Sequence, residues 1–496
     1  MTGTTGKPMT ETTPSHVRLA RNTALSLVAI GLLGAGRLVY NIVVGRRFGV
    51  AALGEATLAI NAAMFATLLV SGGWQTSTAK YVAQAAGGGD RALAAGIYRR
   101  TLLHNASGGV VVAALVAAVL AVVPEAGLRT RDAILAGAIA FAYNAYQHLK
   151  SAHYGFGMVE SYLRLEALSS GAMLAALAVV AVAATRSAIL WPVAGGYALF
   201  AILSAARLRG GGAAKPVPAP LWREIRGFTA LAIAGTVASA GFLNLSPVFV
   251  GRYDSPRMLG VFSAALALVI PVYFVPRALS LALFPSIAYR YGEERLDSVR
   301  RQLHETGRAL WILLLAPVAA AAVTAPVILR WLFGAGFDDG ALILTIMMGA
   351  TYLSVVQIPY VTTLSGTDRR YYKVPVLASI AGFGVGVGVW VTLGARDGAT
   401  GVAWGYLIGS VPQAAIPIAF AVRTFGVRIA SVVVRAAMLW VIVAAIVWQV
   451  RIDETGSAMI AVLGVLAVYA VLFGRDLGVL AASLVARRRA GRGDAG

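Results

Sequence analysis

The clearest candidate for chemistry in this sequence is Arg37, an arginine inside a long apolar run that is followed by Tyr40 and Asn41. Residues three and four positions apart share a helix face, so a helix here would present one polar stripe. A charge in an apolar membrane segment is costly and usually has a function. An arginine favours an anionic ligand, because it stays charged and binds phosphate through two parallel hydrogen bonds. The alternative is a side chain that extends to a nearby membrane interface.

A second arginine, Arg277, follows a segment in which Pro271 and Pro276 flank Tyr273 and Phe274. Prolines remove backbone hydrogen bonds and bend a helix, and the freed carbonyl groups must then face protein or a wet cavity. The pattern indicates a broken helix whose arginine contacts substrate or belongs to a gate. An arginine that only sets topology at the cytoplasmic interface is an equal alternative.

Neutral polar side chains in other apolar runs could line a wet path for a sugar. Such groups also serve as contacts between helices, worth about 1 kcal/mol or less. Together with the two arginines and their neighbours, they complete the set of predicted substrate-binding residues. The set is Arg37, Tyr40, Asn41, Asn144, Gln147, His148, Asn244, Arg277 and Gln357.

The composition predicts that these residues lie in a membrane protein. The chain has 496 residues, of which 58% are hydrophobic and 13% charged, and its mean hydropathy is +0.76. A soluble domain has about 25% charged residues. The apolar runs have about the 18–25 residues that a helix needs to cross a membrane. We therefore expect an all-α, polytopic transmembrane helical bundle, since a β-barrel would show alternating segments of about ten residues.

Several kinds of catalysis are disfavoured by residues that the sequence lacks. It has no cysteine and five histidines, without metal-binding spacing, which excludes thiolate chemistry and argues against a metal centre. No G-x-x-x-x-G-K loop for ATP is present. The carboxylates Glu55, Glu160 and Glu166 are expected near span ends, which weakens a coupling-ion site. The sequence predicts a transporter without a cofactor rather than an enzyme.

About fourteen spans are predicted. They lie near residues 22–44, 51–72, 101–123, 132–151, 165–185, 188–207, 227–250, 258–282, 307–326, 341–364, 374–394, 400–422, 429–449 and 456–474. With the N-terminus inside, about 30 of the 42 lysines and arginines fall on the cytoplasmic side and about 10 outside. The net charge of +21 is thus explained by topology and membrane lipids, not by nucleic acid. The protein is predicted to lie in the cell inner membrane with both termini in the cytoplasm.

A weak internal repeat divides the chain. Val193–Tyr197 (VAGGY) and Val402–Tyr406 (VAWGY) are separated by 209 residues, and Gly210–Pro220 reads as a linker. Parallel repeats of six spans build transporters with a cleft on the pseudo-two-fold axis. The predicted order is a disordered cytoplasmic tail (1–21), a six-helix lobe (22–207), a cytoplasmic linker (208–226), a second six-helix lobe (227–422), peripheral helices thirteen and fourteen (423–474) and a basic tail (475–496).

Short motifs in a consistent order resemble the polysaccharide transporters, the Wzx-type lipid-linked oligosaccharide flippases of the MOP superfamily. Each motif is of low specificity, and together they cover almost the whole chain. They are Gly36-Arg37-Leu38 with Gly45–Gly49, Gly72-Gly73-Trp74, Leu283-Phe284-Pro285, Leu332-Phe333-Gly334 and Gly398–Ala403.

The resemblance implies two six-helix lobes around a central cleft and a MATE-like arrangement. The implied cargo is a polyprenyl-diphosphate-linked oligosaccharide, moved from the inner to the outer leaflet for cell-surface polysaccharide biosynthesis. A monomer in contact with membrane lipids is expected, and association with a polysaccharide polymerase or glycosyltransferases is left open.

Three alternatives remain at this point. One is an ion-coupled, multidrug-type exporter of the same superfamily, which should line its cleft with carboxylates. Another is a lipid II flippase. The members of that class carry an arginine pair in span two, whereas the corresponding segment of this chain, Ala66–Val70, is uncharged. The third is a membrane enzyme of polymer assembly, which needs an acidic centre at the outer surface.

Overall fold

The computed structural model describes residues 15–122, 129–208, 214–273, 295–368, 370–449 and 455–493, together with Leu283, Ile287 and Tyr291. Over these residues the regular secondary structure is helical, without strands, which confirms the all-α prediction. The first half contains α1 (Ser15–Phe48), α2 (Val50–Leu68), α3 (Ser71–Gly87), α4 (Arg91–Val122), α5 (Thr130–Gly155), α6 (Val159–Val182) and α7 (Trp191–Leu208). The second predicted span is broken between α2 and α3, at Leu69 and Val70.

The second half contains more broken spans. Its helices are α8 (Ala219–Tyr253), α9 (Pro256–Val269), α10 (Leu296–Leu313), α11 (Leu315–Val323), α12 (Ala325–Phe333), α13 (Ala341–Val356), α14 (Ile358–Gly366), α15 (Lys373–Val389) and α16 (Ala395–Phe425), followed by α17 (Ala430–Gln449) and α18 (Thr455–Gly493). A proline lies in the first turn of α12 and of α14. The N–H groups of a first turn have no partner within the helix, so the missing N–H of proline costs no hydrogen bond there. The preceding helix ends at the same point. Pro271 likewise lies in the 3₁₀ turn Ile270–Tyr273 that ends α9, at the predicted break.

The helices are long and apolar enough for a multi-pass membrane protein. Twelve stretches in the part of the chain that the structure describes meet that criterion. One of them, Lys373–Phe425, changes direction at Gly398 (φ 56°) and holds predicted spans eleven and twelve. The other predicted span outside the twelve is α5, whose more polar side chains are tolerated because α2, α3, α4 and α7 pack around it. Fourteen spans are therefore consistent with these helices.

The two halves meet through the broken second span. At one end of it, α2 packs on α9 so closely that a Cβ atom on Gly260 would overlap the Val50 carbonyl. At the other end, α3 packs on α8, where a Cβ atom on Gly73 would overlap the Thr229 carbonyl. The Ser77 and Thr229 hydroxyl oxygens lie 2.6 Å apart beside that contact. The halves thus touch at both ends of span two.

Helices α17 and α18 pack against α10 and α11. The Asp476 carboxylate of α18 pairs with Arg308 of α10 and, at 2.6 Å, with Arg435 of α17. The Tyr469 hydroxyl donates to the Ile312 carbonyl at 3.0 Å. These contacts fix the last two helices to the outside of the second half.

Some helices extend past the predicted boundaries. The first helix begins at Ser15, inside the predicted tail 1–21, and α8 begins at Ala219, inside the predicted linker 208–226. The last helix reaches Gly493 through most of the predicted tail 475–496. Alanine, leucine and arginine, which dominate that last segment, are strong helix formers, and cationic residues are favoured near a helix C-terminus.

Candidate functional site

Arg37 lies partly buried where α1, α2 and α7 meet. Its Nη1 atom is 2.8 Å from the Met64 sulfur of α2, and its guanidinium also interacts with the Tyr197 hydroxyl of α7. Both partners are neutral. Within the described ranges no carboxylate forms an ion pair with Arg37. Among the described residues, Arg37 therefore lies between spans one, two and six without a direct ion-pair partner.

The other two members of the predicted stripe on α1 differ from Arg37. Tyr40 is buried, and its hydroxyl donates to the Ile189 carbonyl at 2.8 Å, just before α7 begins. Asn41 is partly buried. Tyr40 therefore joins α1 to the connection between α6 and α7, which fixes the helix that carries Arg37.

A cluster of tyrosines lies behind Tyr197. Its ring is 5.0 Å from that of Tyr143 and 5.1 Å from that of Tyr146, measured between centroids. The predicted residue Gln147 joins this cluster, because its Nε2 donates to the Tyr143 hydroxyl at 3.0 Å. The structure thus brings Arg37 and Gln147 into one group of hydrogen-bonding side chains.

Glu166 belongs to the same region and was not among the predicted site residues. It is 1% exposed and accepts hydrogen bonds from Tyr146, at 2.8 Å, and Ser170, at 3.1 Å. The Lys150 ammonium lies 5.6 Å from the centre of the Tyr146 ring. The sequence signal that could have found this site is the i, i+4 pairing of Tyr146 with Lys150 on α5, opposite Glu166 on α6.

Asn144 and His148 lie in the contact between α4 and α5. The amides of Asn144 and Asn105 each donate to the other residue's backbone carbonyl, at 3.0 and 3.4 Å. His148 is fully buried and stacks on Tyr98 at 6.2 Å. Their side chains point to the α4–α5 interface, whereas Gln147, between them in sequence, points to Tyr143. This placement is the helix–helix contact that was the alternative to a sugar path.

The second half contributes two predicted residues. Asn244 on α8 donates to the Ala240 carbonyl one turn earlier, at 2.9 Å, so its amide is partly satisfied by its own helix. Gln357 is 7% exposed and lies at the break between α13 and α14. Neither contacts the Arg37 group through a hydrogen bond. Arg277 lies outside the described residues.

The structure describes the segment before Arg277 as far as Tyr273. The Tyr273 and Tyr406 hydroxyl oxygens lie 2.9 Å apart, which joins the turn after α9 to α16. Tyr406 ends the second copy of the repeated VAxGY sequence, and Tyr197 ends the first. Each repeated tyrosine therefore makes a polar contact within its own half, Tyr197 with Arg37 of α1 and Tyr406 with Tyr273 after α9.

No known protein-family profile matches the chain, and no curated protein matches it in sequence. Solved structures do match. One is the lipid II flippase MurJ in an inward closed conformation, 14% identical, with TM-score 0.64 over 93% of this chain and 99% of that one. Another is a multidrug resistance MATE family transporter of the MOP superfamily in an inward-facing conformation, 14% identical, with TM-score 0.63 over 83% and 98%.

A third match is a MOP superfamily transporter from Pyrococcus furiosus, described as having a binding pocket of reverse polarity. It is 14% identical, with TM-score 0.59 over 82% of this chain and 95% of that one. At this level of identity the matches show a shared fold. They confirm the expected arrangement of helices. They do not identify the cargo, which has to be inferred from the chemistry of the site.

Proposed function

We propose that this chain, which has the fold of the MOP superfamily proteins MurJ and MATE, flips a polyprenyl-diphosphate-linked oligosaccharide. The cargo would move from the inner to the outer leaflet of the cytoplasmic membrane and supply the synthesis of a cell-surface polysaccharide. The protein would act by alternating access and without catalysis.

The observation that carries this proposal is the environment of Arg37. Its described partners are the Met64 sulfur and the Tyr197 hydroxyl, both uncharged. A partly buried charge without an ion-pair partner in an apolar segment costs free energy, and a bound anion would offset that cost. A diphosphate supplies that anion, and the guanidinium binds its oxygens through two charge-assisted hydrogen bonds. A cationic cargo would be repelled.

The groups around Arg37 also suit a glycan. Tyr143 and Tyr197, which are buried against each other in this conformation, and Gln147 would provide hydroxyl and amide groups next to flat aromatic surfaces when the site opens. A sugar needs many hydrogen-bond partners and packs its less polar face on such rings. The lipid tail would stay in the bilayer, beside the helices, while the headgroup passes between the halves.

The tight contacts at both ends of span two supply the moving parts of this mechanism. If α2 separates from α9, access opens at one end, and if α3 separates from α8, it opens at the other. Rocking of two repeats around a fixed site is the usual form of alternating access. With the cell interior negative, outward movement of each negative charge gains about 2.3 kcal/mol per 100 mV. The membrane potential could therefore favour export.

Glu166 favours a second candidate, an ion-coupled exporter of small molecules. Its carboxylate is buried and accepts hydrogen bonds from Tyr146 and Ser170, and a buried acidic group is a feature of ion-coupled carriers. In that case Glu166→Gln should abolish transport driven by an ion gradient. On the flippase proposal the same variant still flips lipid when no ion gradient is applied.

A flipping assay in liposomes tests the proposal. A fluorescent polyprenyl-diphosphate sugar is reconstituted with purified protein, and its appearance in the outer leaflet is followed at a clamped potential. Arg37→Ala should lose flipping, whereas the exposed control Arg164→Ala should keep it. Competition by lipid II, compared with other diphosphate-linked glycans, separates a lipid II flippase from the proposed class.

A further inference from the structure

A cavity of about 560 Å³ lies at the end of the first half that the sequence predicts to be external. It is bounded by the second turn of α2, the first turn of α5 and the connection between α6 and α7. Its polar lining includes Glu55, Arg129, Arg131, Asp132, Arg186 and Ser187. Its volume is in the range of small-molecule binding sites, about 300–1,000 Å³.

The charge of this cavity is positive. Arg186 donates to both oxygens of Glu55, at 2.8 and 3.0 Å, so these two charges neutralise each other. Arg129 and Arg131 are exposed and form no ion pair with any residue that the structure describes. Asp132 is the one remaining acidic group of the lining. Two guanidinium groups therefore face one carboxylate, and a concave surface with excess charge of one sign concentrates ions of the other sign.

Contacts lead from this cavity to Arg37. Ile189 lines the cavity, and its carbonyl accepts the Tyr40 hydroxyl. Tyr40 follows Arg37 by three residues on the same helix face and lies within electrostatic range of its charge. The Tyr40–Ile189 hydrogen bond therefore links the helix that carries Arg37 to the wall of the outer cavity.

We propose that this cavity is a second anion-binding site, which receives a diphosphate after it leaves Arg37 on the way to the outer leaflet. The inference rests on the proposed function and adds a second binding site to the transport path. Arg129 and Arg131 would bind the phosphate oxygens by charge-assisted hydrogen bonds, and Ser187 would donate its hydroxyl.

The first experiment measures binding of inorganic pyrophosphate by calorimetry. The protein carries Arg37→Gln, which removes the inner site, and is held in nanodiscs of zwitterionic lipid. The further change Arg129→Gln/Arg131→Gln should weaken binding by about tenfold or more, because each charged hydrogen bond contributes about 1.5–3 kcal/mol. Unchanged affinity overturns the proposal. The matched control Arg330→Gln/Arg396→Gln lies at the same predicted end of the second half and should bind normally.

A second arm separates a diphosphate from an anionic lipid headgroup, which offers the same phosphate chemistry. The titration is repeated in nanodiscs that contain phosphatidylglycerol. Pyrophosphate binding that persists supports a site for the cargo's diphosphate. Binding that disappears assigns the cavity to membrane lipid and overturns the proposal.

Flipping by the otherwise wild-type protein with Arg129→Gln/Arg131→Gln distinguishes the two proposals. We expect slower flipping with normal thermal stability, because both side chains are exposed. If Arg37→Ala abolishes flipping but the double variant flips at the normal rate, the outer site is wrong and the function stands. If Arg37→Ala itself flips normally, the proposed function fails, whatever the pyrophosphate titration gives.

Discussion

The hydroxyl groups of Tyr273 and Tyr406 lie 2.9 Å apart and join the 3₁₀ turn after α9 to α16. In the first half, Tyr197 interacts with Arg37, and Arg37 contacts Met64. Tyr406 follows Tyr197 by 209 residues, and Tyr273 follows Met64 by the same 209 residues. Equivalent positions thus lie near each other in both halves, through Arg37 in the first half and by direct hydroxyl contact in the second. The contacts support the proposed duplication and make the two tyrosine groups counterparts.

The tyrosine pair of the second half should contribute to transport. Tyr406→Phe removes one hydroxyl group and leaves the ring, so the fold should persist. Loss of one hydrogen bond costs about 0.5–1.5 kcal/mol, which corresponds to flipping slowed by about two- to tenfold. Tyr372→Phe, an exposed position, serves as the control in the liposome assay. A normal rate for Tyr406→Phe would show that this pair is not part of the path.

The contact between α2 and α9 should depend on glycine. A Cβ atom on Gly260 would overlap the Val50 carbonyl, so Gly260→Ala must push the helices apart. We expect a loss of about 1–3 kcal/mol, seen as a lower midpoint of thermal unfolding. Gly388→Ala on α15 meets no neighbouring atom and should be neutral or slightly stabilising. Equal midpoints for the two variants would contradict the close packing.

Arg46 should hold the predicted outer end closed. Its guanidinium donates to the Leu332 carbonyl at 2.7 Å and to the Trp331 carbonyl, at the end of α12 in the other half. Arg46→Ala removes this link and should shift the population toward a form open at that end. Because the natural chain has no cysteine, spin labels at Thr130→Cys and Arg330→Cys report the separation directly. A distance distribution unchanged by Arg46→Ala would rule out the link.

The hydrogen bonds of the Asp90 carboxylate should make the stability of the protein depend on pH. The Asp90 carboxylate accepts from the Leu93 backbone N–H, at 3.0 Å, and from Lys215 of the linker, at 3.0 Å. These bonds, the backbone one first, lower the pKa of Asp90 below its usual value. A carboxyl group with a lower pKa when folded stabilises the protein above its unfolded pKa, near 4, and loses this contribution as the pH falls through the folded pKa.

Asp90→Asn should therefore make the fall in the unfolding midpoint between about pH 5 and 3 less steep. The fold near neutral pH should not change. The comparison is the unfolding midpoint of both proteins over this range. The exposed variant Asp297→Asn is the control and should follow the wild type. If Asp90→Asn loses stability on acidification as steeply as the wild type, the hydrogen bonds of Asp90 have no such role.

The fold was largely predictable because one physical constraint dominates it. Helices that cross hydrocarbon need about 20 apolar residues, and the sequence shows the runs directly. Breaks at Pro326 and Pro359 follow from the chemistry of proline. The break between Leu68 and Ser71 was not predicted, because no proline marks it and packing of α2 on α9 and of α3 on α8 determines it instead.

The site was less predictable, because helical periodicity gives a face but not the neighbour of that face. Gln147 and His148 are adjacent in sequence, yet one joins the tyrosine group near Arg37 and the other is buried against Tyr98. Glu166 was set aside because it is near a span end. Ser170 follows Glu166 by four residues on α6, which the sequence shows, but only the packing of α5 on α6 reveals that Tyr146 donates to the same carboxylate.

The proposed function requires that Arg37 binds a diphosphate during passage across the membrane. The decisive experiment reconstitutes wild type, Arg37→Ala and Arg164→Ala and measures movement of a fluorescent polyprenyl-diphosphate sugar at clamped potentials of both signs. We predict fast movement for the wild type and Arg164→Ala, favoured toward the positive side, and none for Arg37→Ala. Normal movement by Arg37→Ala, with equal amounts of folded protein, would contradict the account.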